Sequence, residues 1–185
     1  MDYNNLTISQ YQHLNKIAKS GLNELDTQIA IASYLTGKSK QNIENLPLPK
    51  LKALLKDISF INSPVVSGNP KKYIFVKGTL FKGVTSIDDL TAGQYIDLKN
   101  FAGEGFVENL HNMVAVLYKP VFVDMNHTDK AEIMKSAKLK HIYNLLFFCS
   151  GVLEKLNPTI QMSLELSVRD IQKTMNEILN GSADL

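Results

Sequence analysis

Arginine is nearly missing from this chain. Of its twenty basic residues only Arg169 is arginine, and the rest are lysine. Lysine carries a hydrated point charge, whereas arginine forks onto phosphate or carboxylate at two points. With a net charge of +2, the lysine excess fits a solvated surface better than a nucleic-acid reader. Cysteine is as scarce. Cys149 stands alone, which excludes an intrachain disulfide, and its setting in "LLFFCSGVL" is that of a buried, inert thiol. Long apolar runs are lacking too. The most apolar stretch, Ile142 to Leu153, is interrupted by Asn144, Ser150 and Gly151, and a membrane span needs about 20 apolar residues. The first residues, "MDYNNLTISQ", have neither the basic region nor the apolar core of a secretory signal. The expectation is a soluble protein that is intracellular when made.

Catalytic signatures are equally sparse. "TGKSK" (36–40) contains the GKS of a phosphate loop, but Ala32 stands where that motif needs glycine, and the segment follows a helical pattern. Gly103-Glu104-Gly105 lacks the third glycine of a dinucleotide fingerprint. The four histidines are scattered. Glu108 and His111 have the i, i+3 spacing of a di-iron pair, but that site needs two copies. His127 and Asp129 read as polar loop residues. No cofactor or metal is expected, and the chain reads as a non-enzyme. An enzyme with dispersed residues would need His111, His127 or His141 to meet carboxylates in one cleft.

What is present is helix-start chemistry. "LTISQYQHL" (6–14) and "LTAGQYIDL" (90–98) share L-T-x-x-Q-Y-x-x-L. Thr7 and Thr91 at N-cap place Gln10 and Gln94 at N3, the reciprocal capping box, and Leu6/Tyr11 and Leu90/Tyr95 at staple positions. The sequences diverge beyond the nine residues, so these are two helix starts and not a repeat.

The first predicted helix runs from Ile8 to Lys19. The second, "NELDTQIAIASYL", places Leu25, Ile29, Ala32 and Leu35 on one face, with Gly37 ending it. A short turn of helix follows Ser39. Pro47 and Pro49 lead into a helix apolar at Leu51, Leu54, Leu55 and Ile58. "KKYIFVKGTLFKGV" is a β-hairpin turning at Lys77-Gly78 or Gly78-Thr79. Ile74, Val76 and Phe81 share one face. Tyr73, Phe75, Lys77, Leu80 and Lys82 share the other, either a protein interface or a surface half-covered by a helix. Another helix is predicted from Phe106 to Tyr118, and a long one capped by Thr128 or Asn126 reaching Leu156. In the last helix, Leu164, Val168, Ile171, Met175 and Ile178 recur at 4-3-4-3 spacing, a coiled-coil-like stripe that packs on its own domain or on a neighbour.

The expected fold is mainly α (α+β), a compact helical bundle with one inserted β-hairpin. Residues 1–61 form a helical segment, 62–70 a Pro/Gly/Ser/Asn-rich connector, and 71–185 the hairpin plus a helical core, together one domain. Roughly 70% of the unfolded surface of such a domain becomes buried.

Four segments carry a family resemblance: "LTGKSKQNIENLPLPKLKALLKDISFI" (35–61), "LTAGQYIDL" (90–98), "ENLHNMVAVLYKPV" (108–121) and "LLFFCSGVLEKL" (145–156), together about a third of the chain. In this order they resemble small virion and tail-assembly proteins of tailed bacteriophages, particularly crAss-like and related phages of Bacteroidota. The resemblance implies a non-enzymatic morphogenesis protein, either a tail-assembly chaperone or a tail or neck component. It would bind other phage structural or tail proteins, or further copies of itself, in the host cytoplasm or the virion. Tyr73, Phe75, Lys77 and Lys82, with the Leu164–Ile178 stripe, are the candidate interface. The alternative is a nucleic-acid-binding accessory protein using the hairpin lysines or those at 130, 135, 138 and 140.

Overall fold

The computed structural model describes residues 5–58 and 71–142, with Asn144, Leu145, Phe148 and Gly151 beyond them. The connector at 62–70, Cys149 and the stripe from Leu164 to Ile178 lie outside the described residues.

Both capping boxes are formed. Thr7 accepts from the Gln10 amide at 3.2 Å while Gln10 Oε1 accepts from the Thr7 amide at 2.9 Å, starting α1 (Ile8–Ala18). The same pair of bonds at Thr91 and Gln94, 3.2 and 3.1 Å, starts α5 (Ala92–Gly103). A cap of this kind contributes about 1 kcal/mol. Between them, α2 (Glu24–Thr36) is capped by Asn23 and ends at left-handed Gly37. Ser39 caps α3 (Lys40–Glu44), and α4 (Leu48–Ile58) follows Pro47. Ile29, Ala32 and Leu35 are buried as expected, but Leu25 is 53% exposed. It occupies the first turn of α2, beside exposed Leu22, beyond the reach of the core.

The hairpin turns at Lys77-Gly78, both at positive φ (45° and 79°), the twist that a two-residue connection needs. It joins β1 (Tyr73–Val76) to β2 (Thr79–Gly83), with Val76 opposite Thr79 and Tyr73 opposite Lys82. Ile74, Val76 and Phe81 are buried. The hairpin is not alone, however: β3 (Tyr118–Pro120) pairs antiparallel with β2, giving a three-stranded sheet in the order β1-β2-β3. Tyr118 therefore begins a strand, where the apolar spacing predicts the end of a helix. Its fully buried ring runs beneath Gly83, and its hydroxyl donates to the Lys71 carbonyl at 2.6 Å. The side chain of β3 thus reaches under β2 to the start of β1.

Two helices differ from their predicted extents. Residues 104–109 form turns, and α6 spans Leu110–Leu117, not Phe106–Tyr118. The Gln12 side-chain amide takes the carbonyls of Val107 and Glu108, both at 2.8 Å, and so competes with the helical pattern there. The predicted apolar set survives, with Phe106, Leu110, Met113, Val114 and Leu117 all buried.

Asn126, not Thr128, caps α7 (His127–Met134). The helix then breaks, and residues 139–142 are helical again. At the break, the Ile8 amide donates to the Ala137 carbonyl (3.0 Å) and the Ser9 amide to that of Lys135 (2.9 Å), while the Leu139 amide donates to the Leu6 carbonyl (2.8 Å). The first N–H groups of a helix have no partner within it. Those of Ile8 and Ser9 are satisfied by the segment after α7, and this tertiary demand interrupts the helix predicted to reach Leu156.

The fold is mainly α with one small antiparallel sheet. Buried side chains from Leu6 to Leu145 form a single hydrophobic cluster, in which α6 is buried nearly throughout its length. A further hydrogen bond, from Gln94 Nε2 to the Val116 carbonyl at 2.9 Å, ties the start of α5 to the end of α6. No described helix is long and apolar enough to cross a membrane.

Candidate functional site

Two regions concentrate chemistry. The first is a polar cleft of about 350 Å³ between α1, the 104–109 turns and α6, lined by residues including His13, Glu108, His111 and Lys135. His13 stacks on Tyr34 with ring centres 4.0 Å apart, and a hollow of about 420 Å³ lies on the far side of this stack. The structure thus brings Glu108 and His111 to one cleft, but each already has a partner. Glu108 accepts from Lys19 at 3.3 Å and from buried Asn15 at 3.4 Å. Burial works to raise the Glu108 pKa, but its own backbone amide, the Lys19 ammonium and the charge of Lys16 outweigh it and hold the carboxyl below the usual range. Gln12 Nε2 lies 3.0 Å from His111 Nδ1. Gln12, Asn15 and Lys19 thus clamp α1 to the turn before α6. Among the described residues no group of three His, Cys, Asp or Glu side chains is placed to hold a metal.

His111 shares its cleft with Glu108 and feels the charge of Glu132, and His127 feels that of Asp97. His127 caps a stack on Phe101, ring centres 5.5 Å apart. Its Nε2 and His141 Nδ1 are buried without a hydrogen-bond partner among the described residues. All three imidazoles have lowered pKa values, chiefly through burial. The charges of Lys135 (His111), Lys130 (His127) and Lys71 (His141) add to the effect. The unfolded chain, whose histidines titrate near 6.5, then binds more protons than the folded one below that value. Stability is retained above about pH 6.5 and lost as pH falls through it toward the folded values. Thermal unfolding followed from about pH 7.5 down to about pH 5 should show a falling midpoint, by about 2–4 °C for each kcal/mol lost. The pair His127→Gln and His141→Gln should flatten that dependence.

The second region is the outer face of the sheet. Strand alternation sends Tyr73, Phe75, Leu80 and Lys82 to the side opposite Ile74, Val76 and Phe81. Tyr73 is 50% and Phe75 70% exposed, so the predicted alternation holds and both rings face solvent. Register places Lys82 between Tyr73 and Lys119. The Val121 amide donates to the Leu80 carbonyl at 2.9 Å, extending the ladder so that Phe75, Leu80 and Val121 form the neighbouring row. Phe122, 83% exposed, and exposed Val123 continue from it.

Lys119 and Val121 on this face, with exposed Phe122 after them, are residues that periodicity did not reveal. A three-residue strand leaves no readable alternation, although the apolar letters after Pro120 in "PVFVDM" are a visible signal. Residues 58–87 contain Lys71, Lys72, Lys77 and Lys82 and no carboxylate, whereas Asp124 directly follows Val123. Opposite charge also comes from α7, where Glu132 bonds Lys135 and feels the charge of Lys77, both of which lower its pKa.

No protein-family model, curated protein or solved structure matches the chain.

Proposed function

We propose that this chain is a non-enzymatic protein-binding part of a phage morphogenesis system, either a tail-assembly chaperone or a tail or neck component. The outer sheet face would be its docking surface. The observation that carries the binding reading is the set of exposed apolar side chains Tyr73, Phe75 and Val121 on the outer face, followed after β3 by exposed Phe122 and Val123, with Lys77, Lys82 and Lys119 beside them in the sequence and register. Large exposed aromatics grouped on one face of a soluble fold mark interaction sites, whereas scattered ones do not. Tyrosine and phenylalanine are also enriched in the buried centres of protein interfaces. The phage context rests on the resemblance of the four quoted segments.

The test is co-purification of the full chain with the products of its neighbouring genes, alongside light scattering to fix its own oligomeric state. The wild type should retain at least one of those products. The double variant Phe75→Ser/Phe122→Ser should lose it while unfolding at an unchanged urea concentration. A strict monomer that captures none of them overturns the proposal. Retention of a single-stranded oligonucleotide instead, with an affinity that falls steeply with salt, would assign the face to nucleic acid.

A further inference from the structure

The two edges of the sheet are chemically unequal. At β3, Lys119 and Val121 direct their backbone groups toward β2 and leave Tyr118 and Pro120 facing outward. Pro120 has no N–H, and the Tyr118 N–H is bonded to the Val114 carbonyl. That edge offers no donor, which is how sheets avoid unwanted pairing.

At β1 the situation is reversed. In a two-residue hairpin the flanking residues, here Val76 and Thr79, exchange both hydrogen bonds, so alternate positions pair inward. The Gly83 amide bonded to the Lys72 carbonyl at 2.8 Å, and Leu80 turned toward Val121, agree with this phase. Tyr73 and Phe75 therefore point their N–H and C=O groups away from β2, and no described residue pairs with that edge.

Resting on the docking proposal above, we infer that β1 is a strand acceptor. It adds an extended segment of a partner protein that is apolar at its centre and acidic at its ends. Charge selects this occupant. Lys71 and Lys72 stand at one end of β1 and Lys77 at the other, with no carboxylate among residues 58–87. A second copy fits poorly. The antiparallel register that uses Tyr73 and Phe75 of both chains places Lys71 opposite Lys77 at each end, and facing like charges destabilise a pair. An acidic guest converts the same positions into cross-strand ion pairs. Its outward apolar side chains lie beside Tyr73 and Phe75, and its backbone meets the four polar groups that no described residue pairs, the mode known as β-augmentation.

The probe is a blocked peptide, Glu-Glu-Val-Thr-Val-Glu-Glu, titrated into the full-length ¹⁵N-labelled protein, with Lys-Lys-Val-Thr-Val-Lys-Lys as control. The acidic peptide is expected to shift the Tyr73 and Phe75 amides and protect them from exchange, more weakly as salt rises. N-methylation of its strand-facing amides should weaken it about tenfold. Phe75→Pro removes an outward N–H but no β1–β2 bond, so the hairpin should persist. Compared with Phe75→Ala, which lacks the ring but keeps the N–H, it should bind about tenfold more weakly.

Equal binding by the Pro and Ala variants and by the N-methylated peptide overturns strand addition. So does protection of the Tyr73 and Phe75 amides before any peptide is added, or preference for the lysine peptide. If a co-purifying partner is lost by Phe75→Ser/Phe122→Ser but held equally by Phe75→Pro and Phe75→Ala, the docking face stands and the strand mode falls. Absence of any partner removes both.

Discussion

Phe81→Ala is expected to lower the unfolding free energy by about 3–5 kcal/mol, measured as a reduced urea midpoint at constant slope. The side chain is fully buried on the inner face of β2, at the centre of the sheet, with Ile74 opposite it on β1 and Pro120 on β3. Removing the ring leaves a cavity under a sheet pinned on both sides, which limits its collapse. Phe75→Ala, one register position away on the outer face, removes the same ring and is expected to change stability by under about 0.5 kcal/mol. The contrast isolates burial from residue type. If the two substitutions cost the same, the assignment of the faces is wrong.

Gly83→Val is the second large effect. A Cβ at this position would sit 2.5 Å from Tyr118 Cε1 and 2.8 Å from Cζ. Buried and bonded through its hydroxyl to Lys71, the ring has little freedom to withdraw. The backbone must shift or the hydroxyl's bond to the Lys71 carbonyl must break. Overpacking of this kind costs about 1–3 kcal/mol, and losing a buried hydrogen bond adds about 1–3 more. Tyr118→Phe alone should incur only the second cost. Pairing Gly83→Val with Tyr118→Leu should recover part of the loss, because the obstructing ring is gone. Thermal midpoints of the wild type, Gly83→Val, Tyr118→Leu and their double variant check this, and additivity of the two single effects would contradict the close approach.

What could be read from the sequence depended on range. The Thr7/Gln10 and Thr91/Gln94 boxes were legible because every partner lies within three residues. The hairpin and its faces were legible because alternation and a Lys-Gly turn are local signals. The onset of α6 was not, since Gln12, some 95 residues earlier, holds the carbonyls of Val107 and Glu108. The break after α7 was hidden for the same reason: its cause is the pair of amides at Ile8 and Ser9. Leu25 matched the helical period but stands beyond the core, and periodicity reports a face without reporting what lies opposite. In the candidate interface, Tyr73 and Phe75 were found through alternation. Lys119 and Val121 were missed because their place follows from β3, which is too short to show a pattern.

The clasp between the start of α1 and residues 135–139 has a consequence for how the molecule is made. A ribosome delivers Leu6 and Ile8 first and Leu139 only after some 130 further residues. Throughout that interval the Ile8 and Ser9 amides lack the carbonyls they bond in the folded chain, although α1 can already stack His13 on Tyr34 of α2. Contacts of such long sequence separation slow folding, and unburied apolar surface on a waiting intermediate invites aggregation. The nascent chain is most vulnerable during this wait, and cellular holding factors would act on it then.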